Sequence, residues 1–255
     1  MLLAATAASA QENPLWMRYP SISPDGSKIA FAYKGDIFCV DVNGGEARQL
    51  TTNPAYDYKP VWSPDGSKIA FASNREGGFD VYVMDARGGE PRRLTTNSAG
   101  EIPVTWRDNN HIVFQSSVMP TAESIIFAGN FVEEYVVDLD GHRPTLFSTL
   151  QMDDISINTR GEVLYHDNKG YEDKWRKHHT SPIARDIWLE KDGTFKKLTS
   201  FAGEDRNPVW AADGESYYYL SEQDGTFNIY INKVAGGSPQ QLTRFSGNPV
   251  RFLSS

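Results

Sequence analysis

Apolar and polar residues alternate along this chain in short runs, and turn residues break the runs at close intervals. In KIAFAS (Lys68–Ser73), Ile69 and Phe71 fall on one face; in DVYVMDA (Asp80–Ala86), Val81 and Val83 do the same. A period of two is the mark of a half-buried strand. Between the runs stand SPDG, NREGG and RGGEP. In SPDG, Ser63 can hydrogen-bond back to the backbone, Pro64 presets φ and Gly66 tolerates a positive φ. PVW, KIAFAS, DVYVMDA and RRLTT therefore predict a four-stranded antiparallel meander.

The meander repeats. SPDGSKIAFA occurs at Ser23–Ala32 and again at Ser63–Ala72. Whole units are expected at 19–53, 60–97, 103–148, 154–200 and 207–245. Leu-Thr or Leu-Phe pairs close them at Leu50, Leu94, Leu146, Leu198 and Leu242, with spacings of 44, 52, 52 and 44. One meander cannot bury both faces, whereas radial stacking of meanders can, so the fold class is all-β and the expected architecture a β-propeller. The segment GNPVRFLSS resembles the opening RNPVW at Arg206, so 248–255 is expected to begin a sixth blade of a truncated six-bladed propeller. Trp62, Trp106 and Trp210 recur at one repeat position and are expected between blades. Asp57 with Tyr58, and Asp205 with Arg206, precede Lys-Pro and Asn-Pro; hydrogen bonding between blades is expected of them.

In such blades the SPDG and GGEP turns share one face of the disc. The second-to-third loops and the blade links share the other, and every long insertion falls there: about 117–130 in the third unit and 168–185 in the fourth, against only 74–79 in the second. Insertions gathered on one face mark a working surface. The fourth reads NKGYEDKWRKHHTSPIAR, with Lys174, Arg176, Lys177, His178 and His179 around Trp175. Three readings stay open: a dock for a carboxylate or other acidic group, an interface with a neighbouring domain or subunit anchored by Trp175 and Arg176, or a locally paired surface loop. The candidate binding set is Trp175, Arg176, Lys177, His178, His179 and Arg206.

Metal and catalytic chemistry find little support. His178 and His179 are adjacent, so on an extended strand they point to opposite sides. His111, His142 and His166 each stand alone and take structural roles. No G-x-S-x-G, H-E-x-x-H, P-loop or G-x-G-x-x-G motif occurs. No catalytic residue, metal ligand or cofactor is assigned. The single cysteine, Cys39, lies in the apolar run IFCVD and is expected in the core. A formal charge of −8 argues against binding nucleic acid or an anionic membrane, and no apolar run is long enough to span a bilayer. At the start, Leu2–Ala8 followed by Ala8-Ser9-Ala10 reads as a signal-peptide remnant over 1–12, implying a periplasmic or secreted protein.

The units SPDGSKIAF…DVYVMDARGGEPRRLTTN resemble the repeats of TolB and of tricorn-type serine peptidases. EDKWRKHHTSPIARDIW (Glu172–Trp188), FAGEDRNPVW (Phe201–Trp210) and the closing NPVRFLS make the chain similar to the N-terminal propeller of secreted, bacterial tricorn-like peptidases. The resemblance implies a six-bladed propeller followed by further domains that carry the catalytic serine. Peptide substrates or other domains of a parent chain would then be its partners, with oligomers forming through the parent. TolB, a periplasmic protein-binding module, is the rival; a propeller joined to a prolyl-oligopeptidase-type hydrolase is a third option.

Overall fold

A computed structural model describes residues 16–117, 132–150, 152–170 and 180–254. Five four-stranded antiparallel sheets follow one another along the chain, each a simple meander. Blade 1 comprises β1 (Arg18–Ile22), β2 (Lys28–Tyr33), β3 (Asp36–Asp41) and β4 (Arg48–Gln49). Blade 2 comprises β5 (Asp57–Trp62), β6 (Lys68–Glu76), β7 (Gly78–Asp85) and β8 (Arg92–Arg93). Blade 3 comprises β9 (Glu101–Asp108), β10 (His111–Ser116), β11 (Glu133–Asp138) and β12 (Thr145–Ser148). Blade 4 comprises β13 (Met152–Ile157), β14 (Val163–Asp167), β15 (Ile187–Lys191) and β16 (Thr194–Lys197). Blade 5 comprises β17 (Asp205–Trp210), β18 (Ser216–Ser221), β19 (Asn228–Lys233) and β20 (Gln240–Gln241). The first strands pack in sequence, β1 on β5, β5 on β9, β9 on β13 and β13 on β17.

Alternation decides which neighbour each side chain meets. Ile69 and Phe71 pair across the ladder with Met84 and Tyr82, and all four pack on Ala30, Ile37, Cys39 and Leu50 of blade 1. Ala70, Val81 and Val83 point the other way, onto Trp106, Ile112 and Phe114 of blade 3. Cys39 is thus a core residue, and burial pushes its thiol pKa up. The recurrent tryptophans sit in the seams: the indole N–H donates to the preceding blade, Trp62 to the Ser21 carbonyl at 3.0 Å and Trp106 to that of Val61 at 3.1 Å.

SPDG is the turn its residues predict. The Ser23 hydroxyl donates to Asp25 Oδ1 at 2.6 Å and accepts from the Lys28 N–H at 2.9 Å, and Gly26 has φ 70°. The Ser23 hydroxyl and the Ser27 N–H and hydroxyl, all donating to Asp25, hold its carboxyl down at about 2. The Leu-Thr ending is a latch. Leu50 and Leu94 are buried, while the Thr51, Thr95, Thr199 and Thr243 hydroxyls accept the backbone N–H of Ile37, Val81, Ile187 and Ile229 at 2.9–3.0 Å.

A sixth blade is not formed among the described residues: 242–254 carry no strand. The segment instead follows the track that the first strands take. The Val250 N–H donates to Phe227 O at 3.0 Å, as Asp57 does to Gly35 O at 2.8 Å and Asp205 to Arg185 O at 3.0 Å. The NPV match at 248–250 would have given that role to Ser246, so the sequence match and the structural register differ. The Ser254 hydroxyl reaches the Pro20 carbonyl of blade 1. Leu242, counterpart of the buried Leu50, is 44% exposed, with no strand after it among the described residues.

Candidate functional site at the mouth of the central channel

The five first strands enclose a cavity of about 400 Å³. Its wall repeats: Tyr19, Pro20 and Ser21 from β1, Lys59, Pro60 and Val61 from β5, and Asp154, Ile155 and Ser156 from β13. Asn207, Pro208 and Val209 come from β17, and Phe252 to Ser254 from the C-terminal segment. The leading residue of four of these triplets is left-handed without being glycine: Tyr19 (φ 52°), Lys59 (52°), Asp154 (48°) and Asn207 (51°). The cause is a bulge. Tyr58 pairs with Ala72 and Val61 with Ala70, so Lys59 and Pro60 stand opposite Phe71 alone. The same slip separates Arg18 from Ser21, Asp153 from Ser156 and Arg206 from Val209. The bulge breaks the ladder beside the channel.

Around this mouth lies a collar of buried charge, on the face that carries the insertions. Asp57 is fully buried against Arg75 Nη2 at 2.8 Å, and Asp80 against Arg93 Nη2 at 2.8 Å. Asp186 receives Lys169 at 2.6 Å and Lys197 at 2.8 Å. Glu204 receives Arg185 at 2.9 Å and Arg206 at 3.4 Å. Asp205 is pushed up to about 6 by burial, against hydrogen bonds from Ser221 and Thr199. Glu134 on β11 is pushed up to about 8, chiefly by burial. Gln115 Nε2 lies 3.4 Å from Glu134 and 3.4 Å from Asp153, so one amide serves two carboxyls across the seam of blades 3 and 4. His166 is buried and accepts the Asn207 N–H at 3.2 Å, and the Asn207 amide donates to Asp154 Oδ2 at 2.5 Å.

Trp175, Arg176, Lys177, His178 and His179 lie outside the described residues. The roots of their loop are placed: Lys169 reaches Ala184 O at 2.7 Å. Arg206 is buried, with its guanidinium 4.2 Å from the Phe227 ring, its Nη2 3.5 Å from Arg251 O, and its pKa lowered by burial. Of the expected hydrogen bonds between blades, Asp57 and Asp205 donate their N–H groups across the seams, while Tyr58 meets Tyr19 as a tilted ring pair with centroids 5.4 Å apart. On the opposite face the exposed His142 Nδ1 lies 2.6 Å from Asp138, near Asp140, which raises the imidazole pKa. That is an ion pair of a turn.

The channel residues Tyr19, Lys59, Asp154 and Asn207 were not singled out by sequence reasoning. The available signal was the repeated Tyr-Pro, Lys-Pro and Asn-Pro at one repeat position.

Residues 14–255 match the family described as the tricorn protease N-terminal beta propeller domain. The chain belongs to that family. Its fold is that of the propeller in the tricorn protease crystal structure, at 22% identity and a TM-score of 0.73, over 93% of this chain and 23% of that one. A putative TolB from Agrobacterium tumefaciens is 17% identical with a TM-score of 0.69, over 89% of this chain and 80% of that one. A puromycin-hydrolyzing peptidase from Mycobacterium tuberculosis is 15% identical with a TM-score of 0.61, over 91% and 37%. The chain thus spans under a quarter of the tricorn protease it matches. No curated protein gives a significant match. Among the described residues no helix is long and apolar enough to cross a membrane.

Proposed function

We propose that this chain is the non-catalytic propeller of a tricorn-like serine peptidase, guiding or gating peptide substrates toward an active site elsewhere or scaffolding assembly of the proteolytic complex. The observation that carries the reading is the channel: a cavity of about 400 Å³ whose wall mixes proline and aliphatic surface with inward polar groups. An extended peptide needs such a path, because apolar walls accept varied side chains while scattered polar groups meet its backbone. Thr105, which lines the cavity from β9 beside Pro103 and Val104, offers the test: in the protease that carries this propeller, Thr105→Trp narrows the channel. Hydrolysis of decapeptides is expected to fall several-fold, while a dipeptide ester is cleaved at the same rate. Equal decapeptide rates would sink the guiding role.

The insertion face supplies the second half of the proposal. The candidate set also holds Lys177, His178 and Arg206; in this proposal Trp175, Arg176 and His179 bind a partner domain or peptide. Alanine at all three is expected to lower assembly or peptidase activity with the melting temperature unchanged; intact assembly and kinetics reject it. The signal-like start supports export to the periplasm or beyond. A second reading, a TolB-like periplasmic module that binds a protein partner with no enzyme attached, draws on the 80% coverage of the Agrobacterium tumefaciens chain. The codons downstream in the gene separate the two: a peptidase core favours the first, a stop codon after one more blade the second.

A further inference from the structure

Four aromatic rings gather where blades 1 and 2 reach the channel mouth. Tyr58 is central, with ring centroids 5.4 Å from Tyr19, 5.6 Å from Tyr56 and 4.9 Å from Phe79. The shelf is open to solvent: Tyr19 is 39% exposed and Tyr56 41%. Tyrosine offers a large, stiff, amphipathic surface, which is why it concentrates where proteins bind other chains.

Lys59 adjoins this shelf. It follows Tyr58 in the chain, lines the channel beside Tyr19, and is held left-handed at φ 52°. Asparagine and aspartate tolerate that backbone through short polar side chains, which accounts for Asn207 and Asp154 but not for a lysine. Arg75, Arg93, Lys169, Lys197, Arg185 and Arg206 on this face all meet carboxylates, and Lys34, in the β2–β3 turn, lies over the Tyr33 ring at 5.1 Å. The Lys59 ammonium makes no ion pair or hydrogen bond among the described residues. An uncommitted cation therefore stands beside an uncommitted aromatic shelf, at the rim of the cavity.

We propose that this corner binds a peptide segment in which an aromatic or large aliphatic side chain stands next to a carboxylate. The apolar side chain lies on Tyr19, Tyr56 and Phe79, and the carboxylate meets Lys59. The proposal rests on the reading that peptides use this channel, and adds to it a preference for acidic-apolar sequence. Charge complementarity names the occupant: removing a charged hydrogen-bond partner costs about ten-fold or more in affinity.

Calorimetric titration of the 255-residue chain with three unlabelled peptides tests it. They are acetyl-Gly-Phe-Asp-Gly-amide, acetyl-Gly-Phe-Asn-Gly-amide and acetyl-Gly-Ala-Asp-Gly-amide. The Phe-Asp peptide is expected to bind about ten-fold more tightly than the Phe-Asn peptide. Lys59→Met should abolish that preference, Lys59→Arg keep it, and Tyr56→Ala weaken both Phe-containing peptides alike. Lys28→Met, on the opposite face, should change nothing. Should Lys59→Met not fold, the preference in the native chain must still collapse in 0.5 M salt, since a half-exposed ion pair is screened there (Debye length about 4 Å). A preference that survives Lys59→Met or high salt overturns the proposal. Equal binding of the Phe-Asp and Phe-Asn peptides overturns it too but leaves the guiding role standing. Failure of every peptide to bind removes both.

Discussion

A non-glycine residue in left-handed backbone costs roughly 1–2 kcal/mol, and the channel wall holds Tyr19, Lys59, Asp154 and Asn207 that way. Asparagine is the better fit to this backbone, so Lys59→Asn is expected to raise the melting temperature by about 2–4 °C while weakening acidic peptides. No gain in melting temperature would show that the bulge carries no strain at Lys59. Glu134 offers a second test. Its ordinary value is 4.5 and burial lifts it to about 8, with Asp153 and Glu133 adding repulsion and Gln115 opposing. Between those values the folded chain holds a proton that the unfolded chain has released. Its contribution to stability is therefore full at acid pH and is lost as pH rises from about 4.5 to about 8. Glu134→Gln should flatten that slope and stabilise the protein at pH 8 by roughly 3–5 kcal/mol, read from denaturant midpoints at pH 5 and 8. An unchanged slope would place the titration elsewhere.

At the scale of the strand and turn, much was legible. Alternation in KIAFAS and DVYVMDA set the faces that Phe71 and Val83 present, and SPDG announced its own hydrogen bonds. The Thr latch was only half visible: the Leu-Thr pair marked the end of a unit, but the acceptor role of its hydroxyl depends on which N–H the ladder leaves unpaired. Thr95→Val removes the acceptor for the buried Val81 N–H at 2.9 Å. The expected loss is about 1–3 kcal/mol, measured as a shift in denaturant midpoint with an unchanged slope; a loss below about 0.5 kcal/mol would show that the latch is incidental. The bulges were not legible, because they follow from register, and a repeat written as Lys-Pro or Asn-Pro says nothing about which residue turns left-handed. Nor was the buried collar. Asp57 and Arg206 were expected between blades, but their partners Arg75 and Glu204 look like surface charge in sequence, and only the packing of neighbouring blades takes them out of water.

For the whole molecule, the repeat determined the architecture and the breaks in the repeat determined where chemistry gathers. Five sheets pack seam by seam, and the C-terminal segment runs from blade 5 to blade 1 along the line of a first strand without forming one. The NPV match misled at that point because a tripeptide can recur outside its structural register. The binding set expected at Trp175 to His179 lies outside the described residues; the roots of its loop, Lys169 and Ala184, stand on the face where the collar, the aromatic shelf and the channel mouth converge. That convergence makes the channel the centre of the functional account. A peptide bearing a photoactivatable benzophenone, cross-linked to the 255-residue chain and mapped by mass spectrometry, tests it directly. The account predicts cross-links at Tyr19, Lys59, Thr105, Asp154 and Asn207, competed away by unlabelled peptide. Cross-links confined to the SPDG face or the outer strands would contradict it.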